Sequence, residues 1–164
     1  MLPEAESFSF VAASDARVLI LGSIPGQRSL EEQQYYAHPR NAFWRIMGDL
    51  FGAGPDVTYN ERLERLLDNK VALWDVLNRC ERPGSLDSNI RTESMEVNNF
   101  DSFFANHDNV QHVFCNGAKS YELFLRHVNP PVANVTKLPS TSPAHAAMSY
   151  DEKLKHWSAV KEAL

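Results

Sequence analysis

RVLILG, residues 17–22, is a short apolar run closed by a glycine, and the loop SIPG follows it without a break. A run with no polar alternation reads as a parallel strand buried on both faces and feeding a loop. Downstream, VALWDVL (71–77) reads as a second buried strand, QHVFCNG (111–117) as a third closed by glycine, and ANVTKL (133–138) as a fourth strand. Between these strands lie segments with helical spacing. NAFWRIMGDLF carries Phe43, Ile46, Met47 and Leu50 at that spacing, and TYNERLERLLDNK places Leu63, Leu66 and Leu67 on one face. A weaker helix surrounds Phe100, Phe103 and Phe104, and AKSYELFLRHV returns across the sheet. The ending SYDEKLKHWSAVKEAL opens with Ser149 and Glu152 at capping-box spacing, which predicts a terminal helix.

Strands that alternate with helices predict an α/β fold, a three-layer α/β/α sandwich around a central, mainly parallel four-stranded sheet. Residues 1–164 are expected to form one domain, without repeats, linkers or low-complexity tracts. In such sheets ligands bind beyond the carboxyl ends of the strands. GSIPG, the loop after VALWD and PSTSPAHA (139–146) should therefore meet on one rim. The stretch between Gly26 and Asn41, with His38 and Pro39, reads as a long loop of the kind that carries function.

Composition narrows the class. Hydrophobic residues at 43% and charged residues at 23% give the balance of an ordinary soluble protein. No apolar run is long enough to span a bilayer, and MLPEAESFSF lacks the basic start and apolar middle of a signal peptide. A cytoplasmic protein with no membrane association is expected. Cys80 and Cys115 are too few for a disulfide framework or a four-thiolate metal site, so no metal and no other cofactor is expected. The formal charge of -5 argues against a protein that coats DNA nonspecifically, because phosphate binding relies on lysine and arginine. It does not exclude a DNA enzyme whose basic groups gather on one face. Arg28, Arg40, Arg45, Arg79, Arg82, Arg91, Lys119 and Lys137 fall mostly in or near predicted loops. An ordinary mixed surface fits them as well.

GSIPG alone is a weak signal, since it lacks the spacing of a dinucleotide fingerprint or a phosphate-binding loop. The combination of GSIPG, YYAHPRNAFW (35–44) and LPSTSPAHA (138–146) is stronger. In order and strand context it resembles the uracil-DNA glycosylase superfamily, above all its hypoxanthine-DNA glycosylase branch, and is similar to the mismatch-specific uracil glycosylases. The resemblance covers most of the chain from Arg17 onward. It implies a monofunctional, monomeric DNA glycosylase of base excision repair, nucleoid-associated if bacterial. Such an enzyme hydrolyses the N-glycosidic bond of a deaminated base such as hypoxanthine, uracil or xanthine. Two alternatives stay open: a uracil- or mismatch-specific enzyme, and a catalytically silent nucleic-acid-binding module on the same fold.

The same resemblance implies roles. Gly22, Ile24 and Pro25 form the loop against the base, and Tyr36 is the aromatic on which an extruded base stacks. Asp75 stands where relatives carry the base-reading asparagine. Ionised, it would accept from a ring N–H; capping the loop after its strand is the other reading. Many relatives hold the attacking water with Asn or Asp in the first motif, where this chain has Ser23, and serine is no anionic base at neutral pH. Asn41 is then the nearest amide able to position water, unless it caps the following helix. His145 would touch a phosphate or the departing base, or simply lie on the surface. Ser140, Ser142 and Pro143 would contact DNA backbone, and Ala144 falls where some relatives carry a leucine wedge; apart from the resemblance, Lys119 after the third strand reads either as a backbone-phosphate contact or as part of a helix start.

Overall fold

In the computed structural model, which describes residues 4–164, a short strand β1 (Glu4–Glu6) precedes the first buried strand, β2 (Val18–Gly22). Strand β3 (Val71–Asp75) pairs with β2 in parallel from Val18↔Val71 to Gly22↔Asp75. Strand β4 (Leu77–Glu81) and the two-residue β5 (Glu96–Val97) come next, then β6 (His112–Asn116) and β7 (Asn134–Leu138). The main sheet has four strands, all parallel, in the order β3-β2-β6-β7. The chain thus steps from β2 to one side and then crosses back to the other. That reversal opens a crevice beyond the carboxyl ends of β2 and β6.

The apolar run of β2 is explained by its two coverings. Leu19 and Leu21 join Ala72, Trp74, Val113 and Cys115 in one core cluster, while Val18 and Ile20 join Val71, Leu73 and Phe114 in the other. Period-two alternation therefore sends every second residue to opposite layers, and both layers are dry. One layer comprises α4 (Phe100–Asn106) and α5 (Ala118–His127), contributing Phe100, Phe103, Phe104, Leu123 and Phe124. The other comprises α2 (Phe43–Phe51), α3 (Tyr59–Asp68) and α6 (Tyr150–Glu162), contributing Phe43, Ile46, Met47, Leu66 and Trp157. The expected three-layer sandwich is present. Thr58 and Ser149 cap α3 and α6 by accepting the backbone N–H of Glu61 and Glu152, so the capping box acts as its sequence predicts.

Two features depart from the sequence reading. VALWDVL is not one strand: β3 ends at Asp75, and after Val76 the chain continues as β4 in a second, antiparallel sheet of order β1-β4-β5. The split follows from pairing. Val76 and Leu77 donate their N–H groups to the carbonyls of Gly22 and Ser23, which turns the chain away where β2 stops. The long stretch after Gly26 contains a helix, α1 (Gln27–Glu32), ended by Gln33 in left-handed conformation. Three of the basic residues are engaged within the protein: Arg82 is buried, Arg79 pairs with Glu4, and Arg45 lies over the ring of Tyr150. Among the described residues no helix is long and apolar enough to cross a membrane.

Candidate active site

A cavity of about 390 Å³ opens at the crevice beyond β2 and β6. The loop after β2, the segment before α2, the end of β3 and the loop after β7 all contribute to it. Gly22, Ser23, Ile24, Pro25, Tyr36 and Asn41 line one part; Asp75, Ser140, Ser142, Pro143, Ala144 and His145 line the rest. Lys119 is the exception among the expected site residues. It sits in the first turn of α5 outside the cavity lining, near enough to Asp87 to favour that residue's charged form.

The floor is built over Gly22. A methyl group at that position would lie 2.5 Å from Asp75 Oδ1 and 3.0 Å from the Tyr36 hydroxyl oxygen, so only glycine lets these two side chains converge. Asp75 is 3% exposed, and its Oδ2 is buried with no hydrogen-bond partner among the described residues. Burial, reinforced by the charge of Asp87 and opposed by Arg82, pushes its carboxyl up to about 7. Near neutral pH the group thus exists in both forms, the protonated one offering a donor and an acceptor together. Capping is not what its carboxyl does here: the loop beyond β3 is held instead by Asn98, whose Nδ2 donates to the Asp75 carbonyl at 2.8 Å.

Tyr36 has a left-handed backbone, φ 53°, which is uncommon for a non-glycine residue and aims the ring inward. One face of that ring stacks on Phe43, with centroids 4.0 Å apart and planes inclined by 23°. The hydroxyl is buried and unpartnered among the described residues. Burial and then the Asp75 charge push the phenol far above its ordinary range, so it remains an O–H donor. Asn116 lies beside it and opposes that rise; of the Asn116 amide, one Nδ2 hydrogen goes to Thr141 Oγ1 at 2.9 Å and Oδ1 accepts the Thr141 N–H at 3.0 Å, which leaves the second Nδ2 hydrogen on the Tyr36 side.

That pair of bonds pins the loop after β7, and other bonds complete the anchoring. The Trp157 indole donates to the Pro139 carbonyl, Lys153 Nζ donates to the His145 carbonyl, and the Thr141 carbonyl accepts the Ala42 N–H. Within the loop, Ser140 Oγ accepts the Ser142 N–H and Ser142 Oγ accepts the Ala144 N–H, which leaves both hydroxyl hydrogens free to donate. Asn41 Oδ1 accepts the Phe43 N–H at 2.9 Å and so caps α2, while its Nδ2 remains for the cavity that it lines. The capping role is thus present, and it does not remove the amide from the site.

Two residues to which the motifs assign no place in the site, Asp87 and Arg82, matter to this geometry. Ser23 donates its hydroxyl to Asp87 Oδ1 at 2.5 Å. Asp87 is exposed as a residue, yet this carboxyl turns inward to the buried Ser23 and lines the cavity. Burial pushes it up, opposed by the Ser23 hydrogen bond, Arg82 and Lys119. Arg82, only 2% exposed, donates from Nη2 to the Pro25 carbonyl at 2.7 Å and from Nε to the Gly84 carbonyl at 2.9 Å. It ties the loop that carries Asp87 to the loop that carries Ser23. Beside them at the rim stands Leu86, half exposed.

The sequence as a whole has close counterparts. A family model described as the uracil DNA glycosylase superfamily matches residues 8–164. A Methanosarcina barkeri protein named hypoxanthine DNA glycosylase is 40% identical over 124 residues, 74% of this chain and 77% of that protein. A Methanosarcina acetivorans protein of the same name is 35% identical over 156 residues, 93% of this chain and 95% of that one. A solution NMR structure from Methanosarcina acetivorans, provisionally named a uracil DNA glycosylase, superposes with a TM-score of 0.78 at 34% identity, covering 96% of each chain.

Proposed function

Because the chain belongs to the uracil DNA glycosylase superfamily, we propose that it removes a deaminated base from DNA by hydrolysing the N-glycosidic bond, with hypoxanthine as its preferred lesion. The names of the two Methanosarcina relatives support that preference. The observation that carries the reading is the pair of unpartnered polar groups, Asp75 Oδ2 and the Tyr36 hydroxyl, buried together over Gly22. Buried polar atoms are normally paired, and an unpaired set at the floor of a cavity marks where a ligand supplies the partners.

A deaminated base has the matching edge. Deamination of adenine replaces an amino group by a carbonyl and protonates the adjacent ring nitrogen, giving an N–H donor next to a C=O acceptor. Protonated Asp75 can accept from the ring N–H while donating to the carbonyl oxygen. The donation to oxygen strengthens as the glycosidic bond breaks, because the departing base gains negative charge that spreads onto that oxygen. Tyr36, braced from behind by Phe43, offers its other face to the extruded ring.

The remaining residues hold the DNA and the water. Ser140 and Ser142 donate their free hydroxyl hydrogens to backbone phosphate, with Pro143 and His145 shaping the same loop. Asn41 Nδ2 holds the attacking water. Ala144 is too small to fill the place of an extruded base, and Leu86 at the rim supplies apolar bulk. Among the described residues no lysine lines the cavity, so the reading is of direct hydrolysis without a Schiff base.

The test is base release from duplexes carrying a single deoxyinosine, deoxyuridine or deoxyxanthosine, with the freed base identified by chromatography and the abasic site by alkaline cleavage. Release of hypoxanthine faster than uracil or xanthine is expected. Uracil released fastest would reassign the lesion, and intact oligonucleotides at enzyme excess would end the glycosylase reading.

A further inference from the structure

We infer that Asp87 is the general base of the reaction, taking a proton from the attacking water while Ser23 holds its carboxylate in place. This assignment rests on the glycosylase reading and goes beyond it, since water held by an amide still has to lose a proton to something. Asn41 cannot be the acceptor: an amide is no base at neutral pH, and its oxygen already caps α2. Serine at position 23 cannot be one either. The hydroxyl of Ser23, however, points at a carboxylate, with Oγ 2.5 Å from Asp87 Oδ1.

The geometry leaves Asp87 one oxygen for water. Oδ1 receives the Ser23 O–H, and Oδ2 is the remaining acceptor of a side chain that lines the cavity alongside Asn41 and Tyr36. The carrier segment is fixed to the site. Asp87 opens a 3₁₀ turn (Asp87–Asn89), Gln27 N–H donates to Ser85 Oγ at 2.9 Å, and Asn89 Nδ2 donates to the Pro83 carbonyl at 3.1 Å. Together with Arg82 these bonds lock the Asp87 loop onto the loop after β2. A carboxylate placed on a separate loop thereby reaches the neighbourhood of the first motif.

The charged groups around Asp87 favour division of labour between two acids. Burial pushes Asp87 up, and the Ser23 hydroxyl from the loop after β2, Arg82 from its own loop and Lys119 from α5 oppose that rise by favouring its ionised form. Asp75, at the end of β3, has no partner for its Oδ2 among the described residues and is driven up by burial and by Asp87 itself; the Tyr36 hydroxyl stays neutral. Both carboxyls are pushed up, and Asp87 is the one with an O–H donor on its carboxyl and two cations opposing the rise, so it is the one built to carry charge. Pairs of acids pushed apart in this way mark a base and a hydrogen-bond donor.

In the step itself, the water oxygen bonds to the anomeric carbon of the sugar as the carbon–nitrogen bond breaks and its electron pair leaves with the base. One water proton moves to Asp87 Oδ2. It is passed on to the departing base, which restores the carboxylate and yields free base and an abasic sugar.

Single-turnover release from a deoxyinosine duplex tests the assignment. Asp87→Asn should lose roughly 100-fold or more, the usual contribution of a general base, with unchanged affinity for the duplex and an unchanged melting temperature. Asp87→Ala should recover activity with added formate, a carboxylate small enough to enter the vacated space. Ser23→Ala keeps the carboxylate but loses the hydrogen bond that favours its charge, so the acid limb of the pH–rate profile should move to higher pH. Wild-type rates in folded Asp87→Asn overturn the assignment. So does an Asp87→Ala variant that formate leaves silent, or a Ser23→Ala profile that does not move. A wild-type enzyme silent on every lesion would instead remove the glycosylase reading beneath it.

Discussion

In the loop after β7, Asn116 satisfies both the N–H and the hydroxyl of Thr141, Trp157 and Lys153 tie down two carbonyls, and even the serine oxygens accept backbone N–H groups. Across the same cavity, over Gly22, Asp75 Oδ2 and the Tyr36 hydroxyl are equally buried and have no partner among the described residues. An unmade hydrogen bond in a buried site costs about 1–3 kcal/mol, so a chain able to satisfy one wall could have satisfied the other. The difference separates scaffold from recognition. The wall gains rigidity from internal bonds, and the floor keeps its bonds for the substrate, at the expense of stability.

Gly22→Ala should break the floor most severely. Its methyl group falls where Asp75 Oδ1 and the Tyr36 hydroxyl converge, and displacing them by about 1 Å should lower base release on the order of 100-fold. Retained activity would mean that the two side chains need not meet over position 22. Tyr36→Ala comes next. Losing a stacking face costs about 1–3 kcal/mol, so release should fall roughly ten- to a hundredfold for every lesion alike. A loss confined to one lesion would show that Tyr36 reads base edges instead. On the wall, Asn116→Ala should act through stability. Two bonds to Thr141 disappear, and thermal or denaturant unfolding should register a loss of about 1–3 kcal/mol, with substrate ranking unchanged. A change of ranking without a change of stability would place Asn116 on the recognition side.

How much of this the sequence discloses follows the same division. The parallel sheet is legible because RVLILG, VALWD and HVFCN are apolar between their end residues, the mark of strands covered on both faces, and the helices between them keep their period. The antiparallel sheet is not. LNRCE mixes polar and apolar residues, β1 and β5 are three and two residues long, and neither length nor pattern rises above that of loops. Helix α1 is hidden in the same way, with no side-chain cap at Gly26 to announce its start. Most cavity-lining residues were foreseen because they sit in recognisable motifs at the ends of strands. Asp87 was not, nor was the anchoring role of Arg82 behind it, since ERPGSLDSN carries no periodicity and their importance comes from the fold bringing position 87 against position 23, 64 residues away along the chain.

Asp75 tests the central claim, that the unpartnered floor reads the base, through its own titration. Its carboxyl holds a proton more tightly folded, at about 7, than its ordinary value of 3.8. The folded state therefore binds more protons than the unfolded one between those values, and stability should decline as pH rises from about 4 to about 7. Asp75→Asn, which keeps a donor and an acceptor without the charge, should abolish that decline and melt higher at pH 8. The direct measurement is the single-turnover rate of hypoxanthine release from pH 6 to pH 9 for the two proteins. The account predicts that the wild-type rate falls as pH rises through about 7, because ionised Asp75 can no longer donate to the base carbonyl, while Asp75→Asn shows no fall over that range. Parallel profiles for the two proteins would contradict it.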